Sequence, residues 1–552
     1  MRIKKTPGEI WQEYEAGVAY KQSIGSRGLY ETVRQNENFF IGNQWEGVNA
    51  PDLDKPVINI LKRVVSYFVS TLVSDDIGVN AEPFGGANTP EDKLFMKILS
   101  QQFESIFENC GMTAKNRDAV RDAAVDGDCC FYCWFDPEER DGAGNAGQVQ
   151  VEAVENTRVY FGNPQVWEVQ KQPYIIVSLR QLLSTVREEA EANGSPDTGS
   201  ITADDDPNGV NREQESGKCT VLIKFWKEQG TVRYSKTTAG AVVKPETDLG
   251  YRLYPLAWFS WDKIKNAMHG QACLTGLIPN QIFVNKMFAM SMQHVKNMAF
   301  PKVAYNAALL PRGWSNRVGE AIPVSGPPAE AINTRTVTAD MSSQVLQMID
   351  NVISYTRDTM GASDAALGNV RPDNTSAIIA TQKASAMPLE LQRMGFYQFV
   401  EDYVRIFLDI MRADYGLRQV AVSDENGQQQ QLMFDFSALD RLHLKLNIDI
   451  GASTYWSELM QVQTMDNLFA SGIITDAATY LEAIPNGYIK NKQEILQKIK
   501  EKQALEQQLQ QAVMGGGADG ALPLVQDGAV PQAFGAAGAG NRDDLDLPQP
   551  LL

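Results

Sequence analysis

The chain has 552 residues, of which 43% are hydrophobic and 21% are charged, a composition typical of a folded protein large enough for several domains. Its 68 acidic and 50 basic side chains give a formal net charge of −18, which argues against a protein that coats nucleic acid with its whole surface. Six irregularly spaced cysteines favour a reducing compartment over a disulfide framework, and since no apolar run approaches the ~18 to 20 residues of a membrane span, neither a span nor a signal peptide is predicted.

The N-terminal part of the sequence predicts amphipathic helices. Thr6, Pro7 and Glu9 combine a threonine cap, a first-turn proline and a glutamate three residues after the cap, which together indicate a helix start. Apolar residues at three- and four-residue steps predict the helices that follow. These run to Phe40 with a break at 25–28, onward from Ile58, over 90–110 and over 113–125.

A continuous apolar run from Cys129 to Phe135 predicts a buried strand. Within it, Cys130 and Cys133 have a spacing that can bind zinc or serve redox chemistry. Residues three apart in a strand point to opposite faces, however, and no second cysteine or histidine pair lies nearby, so we expect no metal. The polar stretch 195–218, with an acidic run at 204–206, is expected to be a solvated loop rather than a cation site. Further strands are predicted at 221–226 and 232–234.

Residues 263–319 contain no aspartate or glutamate, which is unusual in a chain with this net charge. Two interpretations fit: a largely buried helix that lacks acids, or a surface that faces a polyanion. The helix is expected to close at Phe300–Pro301, and 303–336, rich in proline and glycine, predicts a small β-containing element. The basic residues of this acid-free segment are Lys263, Lys265, Lys286, Lys296, Lys302, Arg312 and Arg317.

A helix, a loop and a longer helix are predicted between 341 and 416. The first helix should end at Gly361, and the second should begin at a cap within 374–376 and bend at Pro388. Apolar residues at helical spacing predict the buried faces. In the first helix these are Val345, Met348, Ile349, Val352, Ile353, Thr356 and Met360, and in the second Ile379, Met387, Leu391, Met394, Phe399, Tyr403, Phe407, Ile410 and Met411.

The C-terminal part predicts strands, then helices, then a tail. Strands are expected at 419–422, 431–434 and 443–450, and helices at 454–468, 477–484 and 491–511. From 514 onward the glycine- and alanine-rich composition predicts a disordered tail, with a short leucine-containing docking peptide at its end as the alternative.

Four segments carry a resemblance to a known family. They are Gly42-x-Gln44-Trp45 with Lys55-Pro56-Val57-x-Asn59-Ile60; residues 151–164; Tyr254-Pro255 through His269-Gly270 to Pro279-Asn280-Gln281 and Asn285; and Asn374-Thr375-Ser376-Ala377. In this order they resemble four parts of tailed-bacteriophage portal proteins: the N-terminal region, the outer wing, the start of the stem helix, and the start of the long helix after the tunnel loop. Portal proteins form rings at the unique vertex of the capsid. The resemblance extends over about residues 30–510.

The resemblance implies an α+β fold, mainly helical, with the wing, stem, clip and crown of a portal protein, in a closed ring of about twelve subunits. The chain would then divide into N-terminal helices and wing (1–262), a stem helix (263–300), the clip (301–340), a second stem helix (341–361), the tunnel loop (362–375), the long helix and wing strands (376–450), crown helices (451–513) and the disordered tail (514–552).

The resemblance also implies a channel through which double-stranded DNA enters the capsid during packaging and leaves during ejection, without sequence recognition. Expected partners are other copies of the chain, double-stranded DNA, the terminase large subunit, a head–tail adaptor and the major capsid or scaffolding protein, with no membrane. The protein would assemble in the host cytoplasm and reside in the virion. Candidate channel-facing residues are Lys286, Lys296, Leu367, Asn369, Val370 and Arg371, and candidate docking residues in the clip are Arg312, Trp314 and Arg317.

The sequence contains none of the catalytic motifs that we sought. It has no glycine-rich phosphate loop ending in Gly-Lys-Ser/Thr and no Gly-x-Ser-x-Gly elbow. Its histidines, His269, His294 and His443, lack metal-ligand spacing. We therefore predict a non-enzymatic protein without metal or cofactor. The alternatives are another ring-forming head-to-tail connector, a class whose members are usually much shorter, and a nucleic-acid packaging enzyme, against which the missing phosphate loop argues.

Overall fold

A computed structural model gives the structure of the chain. It describes residues 5–73, 77–83, 90–141, 144–204, 217–299, 304–310, 312–313, 321–333, 343–359, 387–423, 429–441 and 444–450, together with scattered residues between 462 and 499. The chain divides into two compact units, Met1–Trp456 and Ser457–Leu552.

The helices of the first unit begin and end at the residues that cap them. Helix α1 (Pro7–Gln22) has the predicted capping box: the Glu9 N–H donates to Thr6 Oγ1 at 3.3 Å, and the Glu9 carboxylate accepts from the Thr6 N–H at 2.8 Å. Helix α2 (Leu29–Ile41) ends at Gly42, whose φ of 102° is a conformation that glycine adopts without steric cost. The other described helices are α3 (Ile60–Leu72), α4 (Pro90–Asn109), α5 (Met112–Asp126), α6 (Leu183–Ala192), α7 (Ile278–Ala299), α8 (Pro328–Ala331), α9 (Ser343–Thr359) and α10 (Glu390–Ile410).

The described strands pair in antiparallel fashion throughout. They are β1 (Ile77–Pro83), β2 (Asp128–Arg140), β3 (Ala146–Val154), β4 (Val159–Phe161), β5 (Tyr174–Leu182), β6 (Lys218–Glu228), β7 (Thr231–Thr237), β8 (Val242–Asp248), β9 (Leu256–Ser260), β10 (Ala304–Tyr305), β11 (Ile332–Asn333), β12 (Leu417–Ser423), β13 (Gln429–Asp435) and β14 (Leu444–Ile450). The larger sheets have the orders β4-β5-β6-β7-β8 and β3-β2-β9, and the two-stranded pairs are β1-β14, β10-β11 and β12-β13. Helices combined with antiparallel sheets confirm the predicted α+β class.

The main hydrophobic core lies between α10 and the sheet β3-β2-β9. Phe131 of β2 and Phe259 of β9 contact Phe399 of α10, with ring centroids 4.9 and 5.9 Å apart. Tyr403, one helical turn further along α10, is also fully buried, and its hydroxyl lies 3.2 Å from Asn116 Nδ2 of α5. Helix α10 therefore covers one face of this sheet, in which β9 is one of the two outer strands.

The helix predicted within the stem range 263–300 occupies only its second part. Helix α7 begins at Ile278, with Pro279 in its first turn. The preceding residues form turns, and Asp262 pairs with Gln271 in an isolated β-bridge. A Cβ on Gly270 would lie 2.8 Å from Asp262 O, so this close approach of two backbone segments requires glycine.

Parts of the predicted buried helix faces are exposed. On α9, Ile349 and Thr356 are buried as predicted, but Met348 is exposed. On and before α10, Met387, Leu391 and Met394 are exposed, whereas the residues from Phe396 onward pack on the sheet. The spacing identified the apolar face correctly, but the described residues do not cover the N-terminal end of this face on α10, where Leu391 and Met394 lie beside β9. Pro388 lies in a 3-10 turn, Met387–Leu389, directly before α10.

Strands β1, β5, β8 and β9 were not predicted, and β1 shows most clearly why. Strand β1 pairs along its full length with β14, from Ile77 opposite Ile450 to Pro83 opposite Leu444. Its sequence contains glycine, asparagine and proline, residues that are depleted in strands, so local propensity gave no signal. The pairing partner, about 370 residues away, supplies the hydrogen bonds that define it.

In the second unit, residues 464–470 are helical, in agreement with the helix predicted at 454–468. The ring of Phe469 lies 4.7 Å from that of Tyr480, and the Tyr480 hydroxyl donates to Asp466. The predicted tail, 514–552, and the predicted tunnel loop, 362–375, lie outside the described residues.

Candidate nucleic-acid interface

Helix α7 has a buried first half and a more exposed second half. Gln281, Val284, Asn285 and Ala289 are almost inaccessible to solvent. After Ala289 every side chain described on the helix is exposed or half-buried. The first half therefore anchors the helix in the core, and the second half carries the surface that is available for contacts.

A buried amide network anchors the first half of α7 to the N-terminal region. Gln281 Nε2 donates to Ile58 O at 2.6 Å, and Gln281 Oε1 accepts from the Ile60 N–H at 3.1 Å. Asn285 Nδ2 donates to Gln44 Oε1 at 2.6 Å, and these two residues are 241 positions apart in the sequence. The structure thus joins residues of segments that carry the family resemblance. Their meeting was not predicted, although amides four residues apart on an apolar helix face were a usable signal.

The two predicted channel-facing lysines of α7 are both exposed, but they differ in their partners. Lys296 Nζ lies 2.7 Å from Asp54 Oδ1 in a solvent-exposed ion pair, so its charge is partly offset. Lys286 forms no ion pair within the described part of the chain, and its ammonium group is free for an external anion. Of the two predicted lysines, Lys286 is therefore the one whose charge is not offset by a partner within the described residues.

Helical geometry also separates the two lysines. Ten residues correspond to a rise of ~15 Å and to ~2.8 turns, so Lys286 and Lys296 point in directions about 80° apart. They occupy different levels of α7 but not the same face. A partner that lies against the face of α7 carrying Lys286 would therefore reach Lys296 only at the edge of that face.

Helix α9 packs beside α7, and together they form a helical hairpin. Asn280 Nδ2 of α7 donates to Thr356 Oγ1 of α9 at 3.1 Å, a contact between partly buried polar groups. Large apolar side chains on both helices nevertheless remain exposed to solvent. They are Met290, Met292, Val295 and Met298 on α7, and Leu346, Met348 and Tyr355 on α9.

The other predicted site residues are not brought to this hairpin by the described structure. Arg312 is exposed and lies close to Leu310, which is buried. The remaining predicted residues, Trp314, Arg317, Leu367, Asn369, Val370 and Arg371, lie outside the described residues.

A buried polar cluster fixes the chain just before α7. His269 Nδ1 lies 3.0 Å from Asp128 Oδ2, and the Gly270 N–H donates to Asp128 Oδ1 at 2.8 Å. Lys21 of α1, also buried, donates to Asn156 O at 2.7 Å, and its ammonium lies 3.9 Å from the centre of the Tyr160 ring. Burial lowers the pKa of Lys21 well below its ordinary value, and the charge of Asp128 opposes this shift.

The cysteine and acidic motifs show no sign of a metal centre in the described structure. Cys130 and Cys133 are buried and free, and burial raises the pKa of both thiols, which makes them poor ligands and nucleophiles. Asp204, at the start of the acidic run, pairs with Arg180, and the rest of the run lies outside the described residues. No group of three or more potential metal ligands occurs within the described ranges.

No protein-family model matches the sequence. No curated protein is significantly similar to it. Of the helices that the structure describes, none combines the length and the apolar character needed to cross a membrane.

Proposed function

We propose that this chain is the subunit of a portal ring, which surrounds a channel for double-stranded DNA at one vertex of a virus capsid. The observation that carries the proposal is the hairpin of α7 and α9. Its exposed apolar residues leave a surface that other copies of the chain can cover, and closed cyclic symmetry is the usual arrangement for identical subunits. Helix α7 also belongs to the segment 263–319, which has no acidic residue.

The charge distribution supports a channel that holds DNA loosely. A ring of about twelve subunits, each with a net charge of −18, would repel DNA from most of its surface. Lys286 in every subunit would place a circle of positive charge at one level of the channel. Lysine attracts phosphate as a flexible point charge without reading base sequence, which suits DNA that must slide.

The buried amide network is a second observation that supports the proposed portal function. Gln44, Asn59, Gln281 and Asn285 belong to segments that resemble portal proteins, and all four make hydrogen bonds where α7 meets the N-terminal region. The resemblance therefore falls on residues with a shared structural task. In a portal ring this junction would connect the stem to the outer wing.

The proposed partners follow from the portal assignment. DNA would enter through the ring during packaging and leave through it during ejection. The terminase large subunit and a head–tail adaptor would dock at the clip, and the major capsid or scaffolding protein would contact the wing. The subunit would assemble in the host cytoplasm and act in the virion without catalysing a reaction, so that a separate ATPase would drive packaging.

The decisive experiment images the purified protein by negative stain and then measures the affinity of its rings for a linear double-stranded DNA fragment. Lys286→Glu should leave the rings intact and weaken DNA binding by about tenfold or more at low salt, because the change reverses one charge in every subunit. Lys97→Glu, which makes the same change at an exposed lysine of α4, is the matched control and should have a much smaller effect.

Two results would contradict the proposal. A protein that stays monomeric over a wide range of concentrations in native mass spectrometry would exclude a ring. Intact rings in which Lys286→Glu and Lys97→Glu weaken DNA binding equally would remove Lys286 from the channel wall.

A further inference from the structure

Strand β9 presents an unpaired edge to a slot. In the sheet β3-β2-β9 it pairs with β2 alone. The Trp261 N–H donates to Gly127 O and the Cys133 N–H donates to Pro255 O, both at 2.9 Å. Residues 255, 257, 259 and 261 therefore direct their backbone groups toward β2, and the residues between them direct theirs away from it. The backbone N–H and C=O groups of Leu256, Trp258 and Ser260 consequently point away from β2. Within the described residues none of these groups has a hydrogen-bond partner.

Such an edge is a template for another strand, and folded proteins usually protect it. The outer strand of the five-stranded sheet, β8, carries Lys244, Pro245 and Glu246, which discourage pairing. Strand β9 has neither proline nor a charged residue between Leu256 and Ser260. Its backbone groups lie among largely buried residues, where an unmade hydrogen bond is costly.

The slot beside this edge has the layout of a site for one more strand. It has a volume of about 860 Å³ and lies between α10 on one side and the segment 167–170 on the other. Its walls carry three exposed apolar side chains, Leu391 (77% exposed), Met394 (60%) and Trp167 (57%). A strand added here would pair with β9 and cover these side chains, which is the arrangement of strand addition.

The charges around the slot favour an uncharged occupant. The lining contains three acids and two bases, which nearly cancel and none of which belongs to β9: Glu168, Asp262, Asp402, Lys263 and Arg405. Burial raises the pKa of Asp402, which further reduces its tendency to carry charge. A segment with charged side chains along its edge would meet no compensating charge on β9.

Strand β13 of the same chain has the complementary edge. It pairs only with β12, and the Phe436 N–H donates to Gly416 O at 2.9 Å, so the ladder directs the backbone groups of Gln431 and Met433 to the free side. From Gln429 to Phe434 the strand has no charged residue, and the Met433 side chain is exposed. In a chain with a net charge of −18, two uncharged free edges can approach without local repulsion.

We propose that β9 of one copy of the chain pairs with β13 of a second copy, and that the slot receives this strand together with the exposed Met433. The contact joins two different surfaces, so it repeats from copy to copy and is compatible with a closed ring. The proposal requires self-association but not a DNA channel. Its failure would therefore leave the proposed function standing if rings still form.

Cross-linking between two co-expressed, differently tagged variants tests the contact. One variant carries Met394→Cys in the slot and the other carries Met433→Cys in β13, and a short bismaleimide is added after purification. Because the native cysteines are buried or half-buried, the new thiols should react preferentially. We expect a cross-linked dimer that contains both tags. The control pair, Ile41→Cys with Met433→Cys, uses an equally accessible position away from the slot and should give none.

A second experiment changes only the free edge of β13, by removing one backbone hydrogen-bond donor. Gln431→Pro deletes an N–H that faces away from β12, whereas Gln431→Val keeps this N–H. Analytical ultracentrifugation should show association weakened about tenfold or more for proline and about threefold or less for valine, with unchanged circular dichroism. If the proline variant does not fold, the cross-linking experiment alone tests the contact between β9 and β13. Absence of the mixed dimer above control, or equal association of both variants, overturns the proposal.

Discussion

At the scale of single residues, the buried polar cluster before α7 shows how charge can be accommodated in a core. Asp128, the acceptor in this cluster, is almost completely buried and receives hydrogen bonds from His269 and Gly270. His269 is enclosed by the rings of Phe161 and Trp258, at centroid distances of 6.4 and 5.5 Å. The sequence placed His269 in a segment that carries the family resemblance and showed that it lacked metal-ligand spacing, but it did not indicate a partner for the side chain. Its partner lies 141 residues away, and no local pattern predicts that distance.

This cluster predicts a pH-dependent stability. Burial lowers the pKa of His269 below 6.5, and the hydrogen bond to Asp128 opposes the shift only in part. The unfolded chain therefore binds a proton at this histidine more readily than the folded chain does. The contribution of neutral His269 to stability is complete above pH 6.5 and is lost as the pH falls below that value.

Thermal and denaturant unfolding between about pH 7.5 and 5.5 measure this effect. The free energy of unfolding should decrease by at most about 1.4 kcal/mol per pH unit through this histidine. His269→Asn keeps a donor for Asp128 but cannot titrate, so its stability should fall less steeply over the same range, although its absolute stability is lower because ring contacts are lost. Parallel curves for both proteins would show that His269 does not titrate on unfolding.

At the scale of elements, the sequence predicted most helices but could not show where they meet. The capping box at Thr6, and the helices at 90–110 and 113–125, are local features, and the structure confirms them. Strand β1 and the exposed N-terminal part of α10 were missed because they depend on the length and position of a distant sheet. Periodicity identifies the face of a helix, but only the fold determines how much of that face is covered.

The amide network at α7 is the junction most sensitive to substitution. Gln281→Leu would remove the hydrogen bonds that Gln281 makes in a buried site to the Ile60 N–H, the Ile58 carbonyl and Asn285, and it would leave the Ile60 N–H with only its 2.9 Å bond to Ile58 O. Three buried hydrogen bonds are lost, each worth about 0.5–1.5 kcal/mol, so a loss of ~1.5–4 kcal/mol in unfolding free energy is expected.

Denaturant unfolding of Gln281→Leu can be compared with that of Gln293→Leu, which makes the same change at an exposed position of the same helix. The exposed substitution should stay within about 0.5 kcal/mol of wild type. If the two variants are equally stable, the network does not hold α7 to the N-terminal region, and a structural role for the resembling segments loses its support.

At the scale of the whole molecule, the α+β class was predictable, whereas the surfaces proposed for assembly were not. The acid-free segment could be read from the sequence, and Lys286 lies within it as an exposed residue. The pairing of Lys296 with Asp54, and the free edges of β9 and β13, depend on tertiary positions. Sequence patterns report local periodicity and composition. They do not show whether every backbone group of a strand finds a hydrogen-bond partner, because this depends on which strands meet in the fold.

The net charge makes a final prediction about assembly in salt. Subunits that each carry −18 repel one another, while the apolar hairpin α7–α9 and the uncharged edges of β9 and β13 favour association. Raising ionic strength from about 10 mM to 0.15 M shortens the Debye length from ~30 to ~8 Å, which screens the repulsion but not the apolar contacts. Native mass spectrometry or ultracentrifugation should therefore show tighter oligomers at the higher ionic strength, whereas the proposed DNA binding through Lys286 should weaken over the same range. Oligomers that dissociate as salt increases would mean that ion pairs, rather than apolar surfaces and backbone pairing, hold the subunits together.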